Sequence, residues 1–285
     1  MDYGFALDIY LTEERKKTGM ALLCSAKPKS DLVVEVQELN FQGVKPRILP
    51  AKVKRIAKAA PDVVILTLRM PPFDNLLFAA GQYVDILLPD GARRSYSIAN
   101  APEVGLIDLE LHLRVTPGGL FTDKTLASLE EDDRLQIEGP LGTFYLREES
   151  TKPLVFLASG TGFGPIKAII EYALRRKIAR PMTLYWGCRT RADLYMMEKP
   201  VAWAQEHAHF KFVPVLSDAQ PTDAWSGRSG FVHRAVMEDF PDLSSHQVYA
   251  CGAPVVIDSA KQDFSAQCGL PEEEFFCDAF TPSSA

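Results

Sequence analysis

The apolar pattern of the chain changes its period near residue 149, and this change limits the folds that are possible. From there, apolar runs alternate with segments of helical spacing, beginning with "PLVFLAS" (153–159) and "PIKAIIEYALRRK" (165–177). Strands buried on both faces read as continuous apolar runs, and strands that alternate with helices form parallel sheets. This pattern therefore predicts that residues 149–285 form a parallel α/β domain. Its other strands are predicted at 182–188, 210–217, 247–252 and 274–280, and its other helices at 193–207, 230–240 and 254–267.

Residues 45–148 show a period of two instead. In "GLIDLELHLRV" (105–115) every second residue is apolar, which is typical of a half-buried antiparallel strand. Short strands separated by Gly, Pro and Asp turns predict a small antiparallel barrel or sandwich. "VKPRILP" (44–50) reads as a linker in front of it. The other predicted elements are strands at 62–70, 81–89, 93–100 and 133–140 and one helix at 122–129.

Bulk properties exclude several classes of protein. The 285 residues suggest about two domains, and the net charge of −6 argues against a nucleic-acid partner, which would need a basic face. No apolar run approaches the roughly 20 residues of a membrane span, and the acidic N-terminal stretch is unlike a signal peptide. The five cysteines form no Cys-x-x-Cys pair, which indicates free thiols in the cytoplasm.

The stretch "ASGTGFGP" (158–165) is the strongest local signal. Gly160, Gly162 and Gly164 lie between a buried strand and a helix predicted to begin at Pro165. Glycines let a ligand approach the backbone, and a helix N-terminus presents free N–H groups to a pyrophosphate. The spacing is not G-x-G-x-x-G, so a simple strand-to-helix turn is the alternative.

Two motifs in the antiparallel region carry a similar ambiguity. In "RRSYSIAN" (93–100), Arg94 offers a charge for phosphate, Tyr96 a flat ring and Ser97 a hydroxyl, although an exposed alternating strand would look the same. In "PGGLFTDKTL" (117–126), backbone N–H groups before a helix are suited to a second phosphate pair, or form a glycine turn without a ligand.

Two more motifs end strands of the parallel region. In "YACGAP" (249–254), Cys251 falls at the carboxyl end of a strand, where open α/β sheets bind ligands. A lone cysteine there also serves as a small buried apolar residue. In the tail "FFCDAF", Asp278 and Phe280 share one face of the last strand, or simply complete the sheet.

Taken together and in this order, these motifs resemble the ferredoxin–NADP reductase family over residues 45 to about 280. Within the family the whole-chain likeness is to CDP-6-deoxy-glucoseen reductases and to reductase components of oxygenases. The resemblance implies a six-stranded antiparallel FAD-binding barrel at 45–148 and an NAD(P)-binding domain at 149–285. It also implies an NAD(P)H-dependent enzyme that passes electrons through FAD to a one-electron protein acceptor.

The resemblance assigns a role to each motif. Arg94 would contact the FAD phosphates, Tyr96 the flavin ring and Ser97 the region of its N5 atom. Asp278 would support the transfer site, and Phe280 would cover the flavin until nicotinamide displaces it. The remaining positions implied are Gly119, Leu120, Phe121 and Thr122 around the FAD pyrophosphate, Gly160, Thr161, Gly162 and Pro165 at the nicotinamide nucleotide, and Cys251 and Gly252 beside the nicotinamide.

The choice between NADH and NADPH depends on the end of a central strand. Family members that use NADPH have an Arg or another basic residue after a Ser there, whereas in this chain Ser217 is followed by Asp218. The carboxylate would repel a 2′-phosphate, which favours NADH. Arg189, Arg191 and Arg228 are cations that could compensate, so NADPH remains open.

The first 44 residues resemble the C-terminal part of a plant-type ferredoxin module. "TEERKKTG" (12–19) predicts a short helix, and Cys24 matches the last cysteine of a [2Fe–2S] site. The three preceding cysteines of that pattern are absent. The cluster would therefore belong only to a longer natural chain, and the alternative is a naturally short chain that transfers electrons from flavin directly.

A non-catalytic sensor or regulatory subunit that holds FAD or nucleotide is the rival hypothesis. Ser97, Cys251, Asp278 and Phe280 favour the enzyme, because a sensor needs only its phosphate loops. A serine hydrolase has no support, because the chain contains no G-x-S-x-G elbow.

Overall fold

The fold is that of a computed structural model, which describes residues 13–17, 19, 21, 26–31, 44–74, 76–115 and 126–281. Chain contacts divide the molecule into residues 1–40 and residues 41–285. In the first unit, helix α1 (Glu13–Lys17) lies within the predicted helical segment, and Lys16 bonds Glu13 one turn away at 2.6 Å. Cys24 lies outside the described residues.

The second unit begins with a six-stranded antiparallel sheet in the order β4-β3-β6-β1-β2-β5. A bridge between Ile98 and Leu111 joins the two outer strands, so the sheet closes into the predicted barrel rather than a sandwich. Leu109, Leu111 and Leu113 alternate into its core, as the period of two predicts. The strands are β1 (Arg47–Ala60), β2 (Val63–Arg69), β3 (Tyr83–Leu87), β4 (Arg93–Ser97), β5 (Asp108–Arg114) and β6 (Arg134–Leu141).

Strand β1 corrects the interpretation of residues 44–50 as a linker. Arg47–Pro50 already pair with β6, and the strand continues through a segment rich in Lys, Arg and Ala whose alternation the side-chain types conceal. Pro50 is tolerated because β2 pairs only with residues 52–60, so its missing N–H leaves no ladder bond unmade. The neighbouring helix α2 (Leu126–Ser128) is the described part of the helix predicted at 122–129.

A six-stranded parallel sheet follows in the order β10-β9-β8-β7-β11-β12. The chain begins at β7 in the middle, builds outward to β10 and returns to β11, which creates a topological switch point beside β7. Such a point is where open α/β sheets bind ligands. The strands are β7 (Leu154–Ser159), β8 (Met182–Cys188), β9 (Phe210–Leu216), β10 (Arg228–Ser229), β11 (Gln247–Gly252) and β12 (Phe275–Ala279). We call this sheet with its helices the parallel-sheet lobe.

Helices cover both faces of the parallel sheet, as the continuous apolar runs predict. Leu154 and Phe156 of β7 pack towards α3 and α4, whereas Val155 and Leu157 pack towards α5 and α6. Burial of both faces is the reason why these strands lack polar alternation. The helices are α3 (Phe163–Arg175), α4 (Glu198–Glu206), α5 (Val232–Asp239) and α6 (Pro254–Cys268).

Several element boundaries differ from the sequence interpretation. Helix α3 begins at Phe163, so that Pro165 is its third residue rather than its first. The helix predicted at 193–207 starts only at Glu198, because a 3₁₀ turn at Arg191–Asp193 and further turns precede it. Strand β5 starts at Asp108 because Gly105, with φ of 78°, turns the chain first. Among the described residues, no helix has the length and apolar character of a membrane span.

Candidate functional site

A cleft of about 1190 Å³ separates the barrel from the carboxyl ends of the parallel strands. The barrel contributes residues of β3, β4 and β5, and the parallel-sheet lobe contributes the loop after β7 and the ends of β8, β9, β11 and β12. Motifs that are distant in sequence therefore meet here. The predicted site residues that line it are Arg94, Tyr96, Ser97, Gly160, Thr161, Pro165, Arg189, Ser217, Asp278 and Phe280.

The glycine loop after β7 forms a floor with no room for side chains. Gly160–Gly162 make one 3₁₀ turn that leads directly into α3. A Cβ on Gly162 would lie 2.1 Å from the carbonyl oxygen of Cys251, so the two strand ends approach at backbone distance. Gly160 has φ of 55°, a conformation that favours glycine. No side chain caps the start of α3, and the amide of its first residue, Phe163, donates to the Gly160 carbonyl of the preceding turn.

Strands β11 and β12 align three of the predicted residues. Cys251 and Asp278 are register partners, and Ser97 Oγ donates to Asp278 Oδ2 across the cleft at 3.1 Å. The Cys251 sulfur lies 4.0 Å from the same oxygen. Burial raises the pKa of Asp278, opposed by the Ser97 hydrogen bond. Burial also raises the pKa of the Cys251 thiol, which therefore stays protonated and neutral at pH 7.

Gly252 and Phe280 shape the end of the same strand pair. Gly252 has φ of 137°, and a Cβ there would lie 2.5 Å from the Ser159 carbonyl oxygen. The amide of Phe280 donates to the Gly252 carbonyl at 2.9 Å, which holds the half-buried phenylalanine at the cleft. Cys251 itself is fully buried, and its neighbours, not its sulfur, form the cleft wall.

Strand β4 presents a charged group and a flat ring to the cleft. Tyr96 is half-buried against the barrel core, and burial raises the pKa of its phenol, so the ring is neutral. The Arg94 guanidinium donates to the Arg93 carbonyl at 2.7 Å. A neutral aromatic surface next to a cation is suited to a ring system that carries phosphates. Gly119, Leu120, Phe121 and Thr122 lie outside the described residues.

The three arginines considered for binding a 2′-phosphate differ in their hydrogen-bond partners and in whether they line the cleft. Arg228 donates to both carboxylate oxygens of Asp239, at 2.9 and 2.7 Å, which directs its guanidinium along α5. Arg191 donates to the Asp223 carbonyl at 3.2 Å. Arg189 lines the cleft, and Asp218 accepts a hydrogen bond from Gln220 at 2.9 Å.

Sequence reasoning missed several residues that line the cleft. Tyr83 is the register partner of Ser97, and burial, with Asp85 and Asp278 nearby, raises the pKa of its phenol. Arg114 ends β5 and bonds Asp62 at 3.2 Å, beside the glycine loop. The pairing of β3 with β4 is the signal that would have identified Tyr83, and the position at a strand end is the signal that would have identified Arg114. Among the described residues, no three His, Cys, Asp or Glu side chains cluster as metal ligands.

Comparisons with protein families agree with this two-part architecture. Residues 50–145 match the family described as oxidoreductase FAD-binding domain. Residues 156–262 match the oxidoreductase NAD-binding domain. Both matches fall on the lobes whose edges form the cleft.

Similar proteins share almost the whole length of the chain. The CDP-6-deoxy-L-threo-D-glycero-4-hexulose-3-dehydrase reductase of Yersinia pseudotuberculosis is 41% identical over 98% of this chain and 83% of its own. Reductase component 1 of the terephthalate 1,2-dioxygenase of a Comamonas species is 36% identical over 92% and 77%. The crystal structure of the Amycolatopsis cytochrome P450 reductase GcoB is similar with a TM-score of 0.82 and 34% identity, covering 99% of this chain and 85% of that one.

Proposed function

Because the chain belongs to the ferredoxin–NADP reductase family, we propose that its cleft brings the two cofactors together for hydride transfer and that the electrons leave to a one-electron protein acceptor. The chain is an FAD-dependent oxidoreductase that takes electrons from a nicotinamide nucleotide and passes them to a partner. The roles of individual residues and the nature of the partner are the proposal.

The Ser97–Asp278 hydrogen bond is the observation that carries the proposal. It joins the barrel to the last strand of the parallel-sheet lobe at the point where the sheet ends and the cleft begins. Hydride transfer requires two rings in contact, so the sites for the two cofactors must open into one cleft. A sensor would not need polar groups of both lobes to meet there.

The barrel residues fit FAD in shape and charge. Tyr96 would lie against the flavin ring, and Arg94 would neutralise phosphate charge. Ser97 would place its hydroxyl near the reacting nitrogen, while Asp278 holds that hydroxyl in position. Gly119, Leu120, Phe121 and Thr122 remain the residues expected at the FAD pyrophosphate.

The glycine loop lies at the start of α3, and the positive end of a helix attracts phosphate. Gly160, Thr161, Gly162 and Pro165 would receive the nucleotide there. Cys251 and Gly252 would lie behind the part of the cleft wall that faces the nicotinamide, with the buried Cys251 thiol neutral. Phe280 would occupy the ring position until nicotinamide displaces it. When bound, the cofactors supply the chemistry: a C–H bond of the dihydronicotinamide breaks, an N–H bond of the flavin forms, and the nucleotide's electron pair moves with the hydrogen.

NADH is the proposed nucleotide. The Arg228 guanidinium is held by Asp239, and the carboxylate of Asp218 follows the cleft residue Ser217. A 2′-phosphate bound beside Ser217 would therefore meet the negative charge of Asp218, with Arg189 among the arginines of the cleft wall.

The acceptor is proposed to be a protein that takes electrons one at a time. The similar proteins are named as the reductase of a dehydrase, a reductase component of a dioxygenase and the reductase subunit of an aromatic O-demethylase. That shared feature supports a protein acceptor and leaves its identity to experiment.

The test combines a spectrum with a turnover assay. The purified chain is saturated with FAD, its flavin absorbance is recorded, and NADH is added without oxygen and then with ferricyanide as a one-electron acceptor. We expect bleaching of the flavin by NADH and continuous NADH oxidation with ferricyanide. FAD binding without bleaching would indicate a sensor instead. A failure to bind FAD would overturn the proposal.

A further inference from the structure

A largely buried row of polar side chains joins the barrel to the parallel-sheet lobe, and one of its members, His112, also lines the cleft. Lys167 of α3 is only 3% exposed, yet it carries an ammonium group. Its Nζ donates to the Ala99 carbonyl at 2.8 Å and to Glu110 Oε1 at 3.0 Å, both in the barrel. Glu171, one turn along α3, lies 3.3 Å from Lys167 and 2.9 Å from Lys199. The two cations and two carboxylates balance in charge, so burial of the row is sustainable.

His112 continues this row towards the glycine loop. Its Nε2 lies 2.9 Å from Glu110 Oε1 and its Nδ1 lies 2.8 Å from the hydroxyl of Tyr195. An ionised carboxylate can only accept hydrogen bonds, so the Nε2–H group of His112 donates a hydrogen bond to Glu110. Burial lowers the pKa of His112, so the ring is neutral and its Nδ1 accepts from the Tyr195 hydroxyl. Although burial alone would raise it, the His112 hydrogen bond and the Lys167 charge bring the pKa of Glu110 down to about 2.

The row ends on the nucleotide loop by two routes. The Tyr195 ring stands edge-on to Trp186 at 5.3 Å, and Trp186 Nε1 donates to the Gly160 carbonyl at 2.9 Å. Directly, the His112 ring lies beside Gly164 in the first turn of α3, where a Cβ would meet the ring at 3.4 Å. His112 thus lies next to the glycine loop and is hydrogen-bonded at both nitrogens.

We propose that Glu110, His112, Lys167 and Tyr195 form an interlobe clamp that sets the distance between the nucleotide loop and the flavin-binding barrel, with His112 as its positioning residue. Although His112 lines the cleft, the role proposed for the clamp is positioning. It acts by holding the glycine loop and β5 in one relative position. The inference rests on the proposed function, because it assumes that the two cofactors react across this cleft.

The chemistry of the clamp explains why polar groups occupy this contact. Apolar packing tolerates small sliding movements, whereas a hydrogen bond weakens steeply as its angle departs from linearity. The outer face of β5, where the alternation places Glu110 and His112, is covered by α3, so these side chains are held on the lobe boundary. A misplacement of 1 Å between reacting groups costs about 10²-fold in rate, so a rigid boundary has a direct kinetic benefit.

The test is Tyr195→Phe, which keeps the ring packing and removes the hydrogen bond to His112. The matched control is Tyr249→Phe, which removes another buried hydroxyl, bonded to the Arg147 amide at 2.9 Å, away from the clamp. His112→Gln is the second variant, because it retains a donor towards Glu110 and loses the Nδ1 acceptor. Each FAD-loaded protein is mixed with NADH in an anaerobic stopped-flow instrument. The limiting rate of flavin reduction, the NADH dissociation constant and the long-wavelength charge-transfer absorbance are recorded.

We expect Tyr195→Phe and His112→Gln to lower the limiting rate roughly 10- to 100-fold and to weaken the charge-transfer absorbance. The NADH dissociation constant should stay within about twofold, since the loss is in the transition state and not in binding. In the Tyr249→Phe protein, NADH should reduce the flavin at the wild-type rate. A Tyr195→Phe protein that matches the Tyr249→Phe control in rate and absorbance would overturn the clamp. Absence of flavin reduction in the wild-type protein would overturn the proposed function itself, and the two failures are thereby distinguished.

Discussion

Ser97 occupies the position where a single hydroxyl connects the two lobes at the cleft. If that hydroxyl stabilises developing charge at the reacting nitrogen, its loss removes one preorganised donor, which typically costs about 10²-fold in rate. We predict that Ser97→Ala lowers the limiting rate of flavin reduction by roughly that factor. The control is Ser95→Ala on the same strand, which also loses a bond to an aspartate, Ser95 Oγ to Asp85 Oδ1 at 2.6 Å. Equal rates for the two variants would contradict the assigned role.

Asp278 should make the protein less stable as the pH rises. Burial raises the pKa of Asp278, so the folded state holds the proton more tightly than the unfolded chain does. Between the ordinary aspartate pKa and the raised one, the folded state binds more protons, and the free energy of unfolding falls with increasing pH. Asp278→Asn removes this titration. We predict that the variant gains stability relative to wild type as the pH rises through that interval.

The measurement for Asp278→Asn is urea unfolding of both proteins, at equal FAD saturation, from pH 4 to pH 8. Taking the difference between the two free energies cancels the titration of all other groups. A difference that does not change with pH would show that Asp278 titrates as it does in the unfolded chain. The same variant should reduce flavin more slowly, because its amide holds the Ser97 hydroxyl less firmly than a carboxylate does.

At the scale of elements, the end of β9 is the proposed determinant of which nucleotide is used. Asp218 follows this strand, and the adjacent edge strand β10 carries Arg228, whose guanidinium is held by Asp239 of α5. We predict that Asp218→Ser raises kcat/KM with NADPH about tenfold, which corresponds to about 1.4 kcal/mol of removed repulsion. The value with NADH should stay within about threefold. Steady-state kinetics with both nucleotides measures the ratio, and an unchanged ratio would contradict this assignment.

The elements also show what the sequence was able to predict. The parallel sheet followed from strands such as β7, whose residues are apolar on both faces because helices cover both. Strand β1 was missed as a whole, because Lys, Arg and Ala dominate much of it and its partner β6 lies far along the chain. The cleft residues at strand ends were predicted from motifs and resemblance. Tyr83 and His112 were missed, since their positions depend on strand pairing and lobe contact that no local pattern records.

At the scale of the whole molecule, the barrel and the parallel-sheet lobe share one buried polar boundary. A buried charge that loses its partner strongly destabilises the folded protein. Separating the lobes would either expose the Lys167–Glu110 pair to water or leave each charge without its partner. The lobes are therefore expected to unfold together. All three tryptophans, Trp186, Trp203 and Trp225, belong to the parallel-sheet lobe, so intrinsic fluorescence reports on that lobe alone.

This distribution of tryptophans provides a test of coupling between the lobes. FAD at 100 times its dissociation constant should stabilise the folded chain by about 2.7 kcal/mol. Although the barrel is the proposed FAD site, we predict that FAD raises the midpoint of the tryptophan-detected thermal transition, because the clamp transmits the stabilisation. The double variant Glu110→Gln with Lys167→Met removes both buried charges at once and should show a smaller shift at the same fractional saturation. An equal shift in both proteins would mean that the lobes are coupled by FAD contacts alone, and the clamp would then have no part in holding the two lobes together.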